Sequence, residues 1–106
     1  MKLVFSEHAW EDYLYWQRTD RKILQRINAL IKEIQRTPFE GVGKPEPLKH
    51  GLSGYWSRRI NEEHRIVYKV EEDSLFLAQL RYHYSPFRSA LCQALSAMQI
   101  RMSRRM

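Results

Sequence analysis

The chain has 106 residues, 43% hydrophobic and 28% charged, which suffices for one small domain with a single core and excludes a second. A net charge of +6 and a pI near 9.7 favour a polyanionic partner, while the single cysteine, Cys92, excludes an intramolecular disulfide. The apolar start Leu3-Val4-Phe5 stops at Ser6-Glu7 and no apolar run is long enough to span a bilayer, so neither a signal peptide nor a membrane anchor is expected and the cytoplasm is the expected location.

Lys2-Leu3-Val4-Phe5 predicts a short strand, and Ser6 a helix cap with Glu7 in the first turn. The first helix is predicted to run to Arg18 and to bury Ala9, Trp10, Tyr13, Leu14 and Gln17. Thr19 or Asp20 caps a second helix, in which Ile23, Leu24, Ile27, Leu30, Ile31 and Ile34 repeat at helical spacing until Thr37-Pro38 stops it. Pro38 to Gly54 has loop composition with room for a helical turn. Three strands follow, Tyr55–Ile60, Arg65–Val70 and Leu75–Tyr82, separated by polar turns in the manner of an antiparallel meander.

The order β-α-α-β-β-β predicts an α+β domain over residues 1–84, with both helices on one face of a mainly antiparallel sheet and the other face free for a ligand. Strand parity sets Ile66, Tyr68 and Val70 against Arg65, Val67 and Lys69, and allows Arg65 and His83 to meet on the open face. Residues 85–106 form a basic extension, in which Leu91, Leu95, Met98 and Met102 follow helical spacing. It has the pattern to pack on the domain, bind a partner helix or lie on an anionic surface, and partial order is expected for so short a terminus.

Charge is unevenly shared between these parts. Residues 1–84 carry 14 Lys/Arg against 12 Asp/Glu, whereas the extension carries 4 Arg and no acid. Within the domain, Lys44, Lys49, Arg58, Arg59, Arg65 and Arg81 cluster in the second half as candidate RNA-binding cations. With the run Arg81-Tyr82-His83-Tyr84 and Glu46, they supply a base, an acid and cations, which suit metal-free acid–base chemistry on a phosphodiester. His8, His50, His64 and Cys92 match no metal-ligand spacing, so neither metal nor other cofactor is expected. Each site residue also has an ordinary structural reading: Glu46 as a solvated loop residue, Arg65 as half of a surface ion pair, His83 as a strand-end cap and Tyr84 as a packing aromatic. Trp10, Trp16 and Trp56 are expected to pack the core.

Pro38-Phe39-Glu40-Gly41, Lys44-Pro45-Glu46-Pro47-Leu48-Lys49-His50, Leu52-Ser53-Gly54-Tyr55-Trp56-Ser57-Arg58-Arg59-Ile60, Glu62-Glu63-His64-Arg65 and the closing Arg81-Tyr82-His83-Tyr84 resemble the Txe/YoeB family of the RelE superfamily, the mRNA-cleaving toxins of bacterial toxin–antitoxin pairs. The resemblance covers residues 1–84; the family's chains ordinarily end at the position of Tyr84, so the extension is a departure. It implies a RelE-like fold, occupancy of the ribosomal A site and cleavage of the codon there. It also implies a YefM-like antitoxin and a homodimer. Carried over by position, Glu46, Arg65, His83 and Tyr84 are catalytic, with Lys49 and Arg59 assisting RNA binding. Two other functions compete: a non-catalytic binding protein like the superfamily's gyrase-poisoning branch, and a toxin inactivated by its extension.

Overall fold

A computed structural model of the chain describes residues 1–82, and on it the elements run β1 (Lys2–Phe5), α1 (Glu7–Thr19), α2 (Arg21–Arg36), β2 (Glu46–Pro47), a 3-10 turn (His50–Leu52), β3 (Trp56–Arg59), β4 (Arg65–Glu71) and β5 (Ser74–Gln79). The five strands form one mixed sheet in the order β1-β5-β4-β3-β2, with β1 parallel to β5 and the remaining pairs antiparallel. The expectations for residues 83–106, including His83, Tyr84 and an amphipathic extension, lie outside the described residues.

Local chemistry sets the helix ends. Ser6 Oγ accepts the Ala9 N–H at 3.0 Å and donates to the Ala78 carbonyl at 3.1 Å, so one hydroxyl caps α1 and ties it to β5. Asp20 closes α1 through its own N–H and opens α2 by accepting the Lys22 and Ile23 N–H groups. Helix α2 buries Ile27, Leu30, Ile31 and Ile34, as its periodicity predicts.

The buried face of α1 differs from the predicted stripe. It consists of Ala9, Asp12 and Trp16, while Trp10 is 47% exposed and stacks on Tyr13. Polar anchoring decides this rotation, because Trp16 Nε1 donates to the Leu80 carbonyl at 2.9 Å and Asp12 Oδ2 accepts the Leu80 N–H at 3.0 Å. Both groups of a buried backbone unit beyond β5 are thereby satisfied by α1.

The main core lies between the helices and the Ile66, Tyr68, Leu75 and Leu77 face of the sheet. The opposite face is not wholly free. Leu48, Leu52 and Tyr55 fold back over Val67, Phe76 and Ala78 and form a second, smaller core there, since those apolar side chains have no helix to cover them. Two further differences concern the strands. Glu46 and Pro47 join the sheet as an edge strand instead of remaining loop, and β5 ends at Gln79 instead of Tyr82.

Candidate functional site

The short strand β2 sets the site. Glu46 stands opposite Ser57 on β3, and Ser57 stands opposite Val67 on β4, two residues from Arg65 on the same face. Glu46, Ser57 and Arg65 thus come together at the end of the sheet that the second core leaves uncovered. Ser57 Oγ accepts Nε–H of Arg65 at 3.1 Å, and Arg65 Nη2 faces Glu46 Oε2 at 3.8 Å.

At that separation the carboxylate and guanidinium attract without a hydrogen bond. The Arg65 side chain is 12% exposed, and its buried Nη2 has no hydrogen-bond partner among the described residues. A guanidinium with one donor fixed and another unused has the chemistry to bind a planar oxyanion. The Glu46 side chain is 62% exposed, so the carboxylate is reachable from solvent.

The cations expected nearby are divided by the fold. Arg59, Cα partner of Arg65, is exposed on the same side, and Lys44 and Lys49 are exposed to either side of Glu46. Lys44 adopts a left-handed backbone at φ 52, following Gly43 at φ 90. A Cβ at Gly43 would stand 3.2 Å from the Arg59 carbonyl and 3.3 Å from Arg58 Cβ, so glycine lets this loop reach β3, where its carbonyl accepts the Arg59 N–H at 2.7 Å.

Arg58 corrects the expectation of an RNA-binding cation. It is fully buried on the helix side, donating to Tyr68 Oη and to the carbonyls of Thr37, Glu40 and Val42. Tyr68 Oη in turn donates to the Pro38 carbonyl at 2.6 Å, and burial raises its pKa. One guanidinium therefore holds the α2–β2 loop, and with it the approach to Glu46. Arg81 also lies on the α1 side, its guanidinium 3.6 Å from the centre of the Tyr15 ring.

Asp12 faces that guanidinium from α1. Burial pushes its pKa up, against the opposing pull of the Leu80 N–H, His8 and Arg81. His83 and Tyr84 are not among the described residues, but the residue before them is. The Tyr82 carbonyl accepts the Arg65 N–H at 3.0 Å, which holds the last described residue beside Arg65.

Ser57 was not singled out by sequence reasoning. Its serine carries no motif, and its value rests on the β2–β3–β4 register. His64, which the sequence offers as a metal ligand, as part of a polar turn and within a family motif, is a buried ring whose Nδ1 accepts the Tyr82 N–H. No three His, Cys, Asp or Glu residues among those described stand together as a metal site.

Comparison with known proteins follows the same residues. A profile of the YoeB-like toxin of bacterial type II toxin–antitoxin systems matches residues 5–84. Toxin YoeB of Escherichia coli K12 is 68% identical over 84 residues, covering 79% of this chain and all of the relative. The YoeB dimer of Staphylococcus aureus superposes with a TM-score of 0.75 at 49% identity, covering 79% of this chain and 98% of that one. The heterotetrameric YoeB–YefM toxin–antitoxin complex from the same organism gives 0.74 at 49% identity, with the same coverage of both chains.

Proposed function

The chain belongs to the family of YoeB-like toxins of bacterial type II toxin–antitoxin systems, and from that premise we propose that it is a ribosome-dependent endoribonuclease that cuts mRNA in the A site and stops translation. The observation that carries this reading is the Glu46–Ser57–Arg65 arrangement: a buried guanidinium held from one side, with a donor unused and a solvent-reachable carboxylate 3.8 Å away.

RNA brings its own nucleophile. Glu46 takes the proton of the 2′-hydroxyl, whose oxygen then attacks the adjacent phosphorus. Arg65 holds the non-bridging oxygens of the phosphorane, where negative charge accumulates. His83 gives a proton to the 5′-oxygen as the P–O5′ bond breaks, leaving a 2′,3′-cyclic phosphate and a 5′-hydroxyl. The division of labour follows from chemistry: a carboxylate is ionised at neutral pH and accepts, whereas an imidazole titrates close to neutrality and donates. Tyr84 orients the scissile phosphate or stacks on a base. Lys44, Lys49 and Arg59, exposed around Glu46, supply phosphate contacts. Because base, acid and charge stabilisation all come from side chains, no metal or other cofactor is assigned to the chemical step.

The proposed partner is a YefM-like antitoxin, as in the S. aureus complex, with the toxin itself dimerising as in the S. aureus dimer. Action on ribosomes places it in the cytoplasm. No helix among the described residues is long and apolar enough to cross a membrane. Primer-extension mapping of mRNA breaks in a translating extract, run with the wild type and with Glu46→Ala and His83→Ala, tests the assignment. Breaks at A-site codons that vanish in both variants support it, and undiminished cleavage by both overturns it.

A second reading, a toxin restrained by its own extension, draws on one observation. The family match ends at Tyr84, and residues 85–106 follow one residue after the proposed acid His83. On that reading, deleting 85–106 raises cleavage in the same assay; an unchanged rate removes it.

A further inference from the structure

Tyr82 has an unusual backbone. Its φ is 67, the left-handed region that a tyrosine rarely enters, and such a residue persists where its surroundings over-determine it. The constraints here are specific. Its carbonyl accepts from the Arg65 N–H at 3.0 Å and from Gln79 Nε2 at 3.0 Å, while its own N–H is held by a side chain, donating to His64 Nδ1 at 2.7 Å.

His64 is built for that bond. The ring is buried, edge-on to Trp16 at 4.8 Å, with Nε2 3.1 Å from Glu63 Oε2. An Nδ1 that accepts a backbone N–H carries no proton, so the hydrogen sits on Nε2 and points at the Glu63 carboxylate. The turn beneath the ring is fixed as well, because Asn61 Oδ1 accepts the N–H groups of both Glu63 and His64, at 2.9 and 2.7 Å. A ring that only filled core volume would need none of this polar alignment.

We propose that His64 is a positioning residue for the active site: its Nδ1 holds Tyr82 in its left-handed turn beside Arg65, and so fixes the point from which the chain runs on to the proposed acid. The functional half of this inference rests on the endoribonuclease reading given above; the clamp itself does not. Arg65 contributes to both, since its backbone N–H holds the other side of Tyr82 while its side chain carries the unused donor.

Two variants of the full-length chain separate an acceptor from a space-filling ring. His64→Phe keeps the ring and its packing on Trp16 but has no acceptor; His64→Asn loses ring volume but returns an amide oxygen near the Nδ1 position. Amide exchange at Tyr82 and single-turnover cleavage of ribosome-bound mRNA are measured on both, with near-UV circular dichroism as the check of fold. The expected result for His64→Phe is Tyr82 exchange faster by about ten-fold or more, with the saturating cleavage rate down roughly 10- to 100-fold at unchanged half-saturating toxin concentration, as misplacement of a reacting group costs. His64→Asn regains part of both.

A folded His64→Phe chain with wild-type exchange and cleavage overturns the proposal. So does a loss that appears only as weaker binding, or one that asparagine does not relieve. Should His64→Phe not fold, exchange and cleavage in His64→Asn decide: near-wild-type values uphold the clamp, and a loss matching that of His64→Ala overturns it. A wild-type chain that cuts no mRNA would remove the nuclease reading, and Tyr82 exchange would still decide the clamp.

Discussion

Ser57 Oγ accepts the Nε–H of Arg65 at 3.1 Å, and through that bond a buried serine on β3 directs a guanidinium on β4 towards Glu46 on β2. The guanidinium is planar, so fixing Nε fixes the direction of both Nη donors. Ser57→Ala therefore keeps every charge at the site and removes its alignment. A hydrogen bond to a charged group contributes about 1.5–3 kcal/mol, which corresponds to a fall in saturating cleavage of roughly 10- to 150-fold. Single-turnover cleavage measures it; a rate equal to the wild type would show that Arg65 needs no such guide.

Removing the proposed base differs from removing the guanidinium. Glu46→Gln keeps shape on an exposed edge strand, so stability should hold while cleavage falls by about 10²–10⁴, the usual contribution of a positioned proton acceptor. Arg65→Lys keeps the charge but loses both the bond to Ser57 and the planar fork, so it should be impaired despite the conservative change. Primer extension reports both, and a Glu46→Gln chain cutting at the wild-type rate contradicts its role as base.

Arg58 and Tyr68 form a loop anchor whose loss should show in stability first. Arg58→Met removes the donors to the part-buried carbonyls of Thr37, Glu40 and Val42 and to Tyr68 Oη, which costs about 1–3 kcal/mol. Tyr68→Phe, which loses the bond to the Pro38 carbonyl, should cost about 1–3 kcal/mol. Because the two share a hydrogen bond, the double variant should be less destabilised than the two losses added. Urea denaturation tests this, and an Arg58→Met chain of unchanged stability would refute the anchor.

Asp12 gives a pH dependence with a definite sign. Its folded pKa is raised from 3.8, chiefly by burial, so the folded chain binds the proton more tightly than the unfolded chain does. Stability attributable to this group is thus greatest at pH below 3.8 and is lost as pH rises from there through the folded value. Asp12→Asn keeps an oxygen for the Leu80 N–H and cannot ionise. Its stability relative to the wild type should improve as pH rises from below 3.8 to neutrality, whereas Asp12→Ala should be less stable than Asp12→Asn throughout. Thermal melts across that range give the comparison, and a difference between wild type and Asp12→Asn that stays flat with pH would disprove the sign.

Much of the molecule follows from local chemistry alone. The caps at Ser6 and at Thr19 or Asp20, the isoleucine–leucine period of α2, the stop at Thr37-Pro38 and the polar turns between strands are short-range signals, and each element they announce is present, with Asp20 as the second cap. Strand parity likewise separated Ile66, Tyr68 and Val70 from Val67 correctly, because alternation is a property of the extended chain itself. The motifs from Pro38 to Tyr84 also sufficed to identify the family.

What the sequence leaves undetermined depends on pairing between distant residues. Arg58 and Arg59 are chemically alike neighbours; the alternation of β3 within its register to β4 buries the first against a loop and exposes the second. Trp16 enters the core in place of Trp10 because the Leu80 backbone, 64 residues away, offers it an acceptor. Ser57 becomes part of the site only when Glu46 is drawn in as an edge strand opposite it. His64 acquires its task only when Tyr82, just beyond β5, returns beside it. Each outcome turns on a register or a hydrogen-bond partner, and a one-residue slip would reverse every face involved. Composition, period and motif therefore determine which groups this protein has, and the tertiary pairing of strands determines which of them meet.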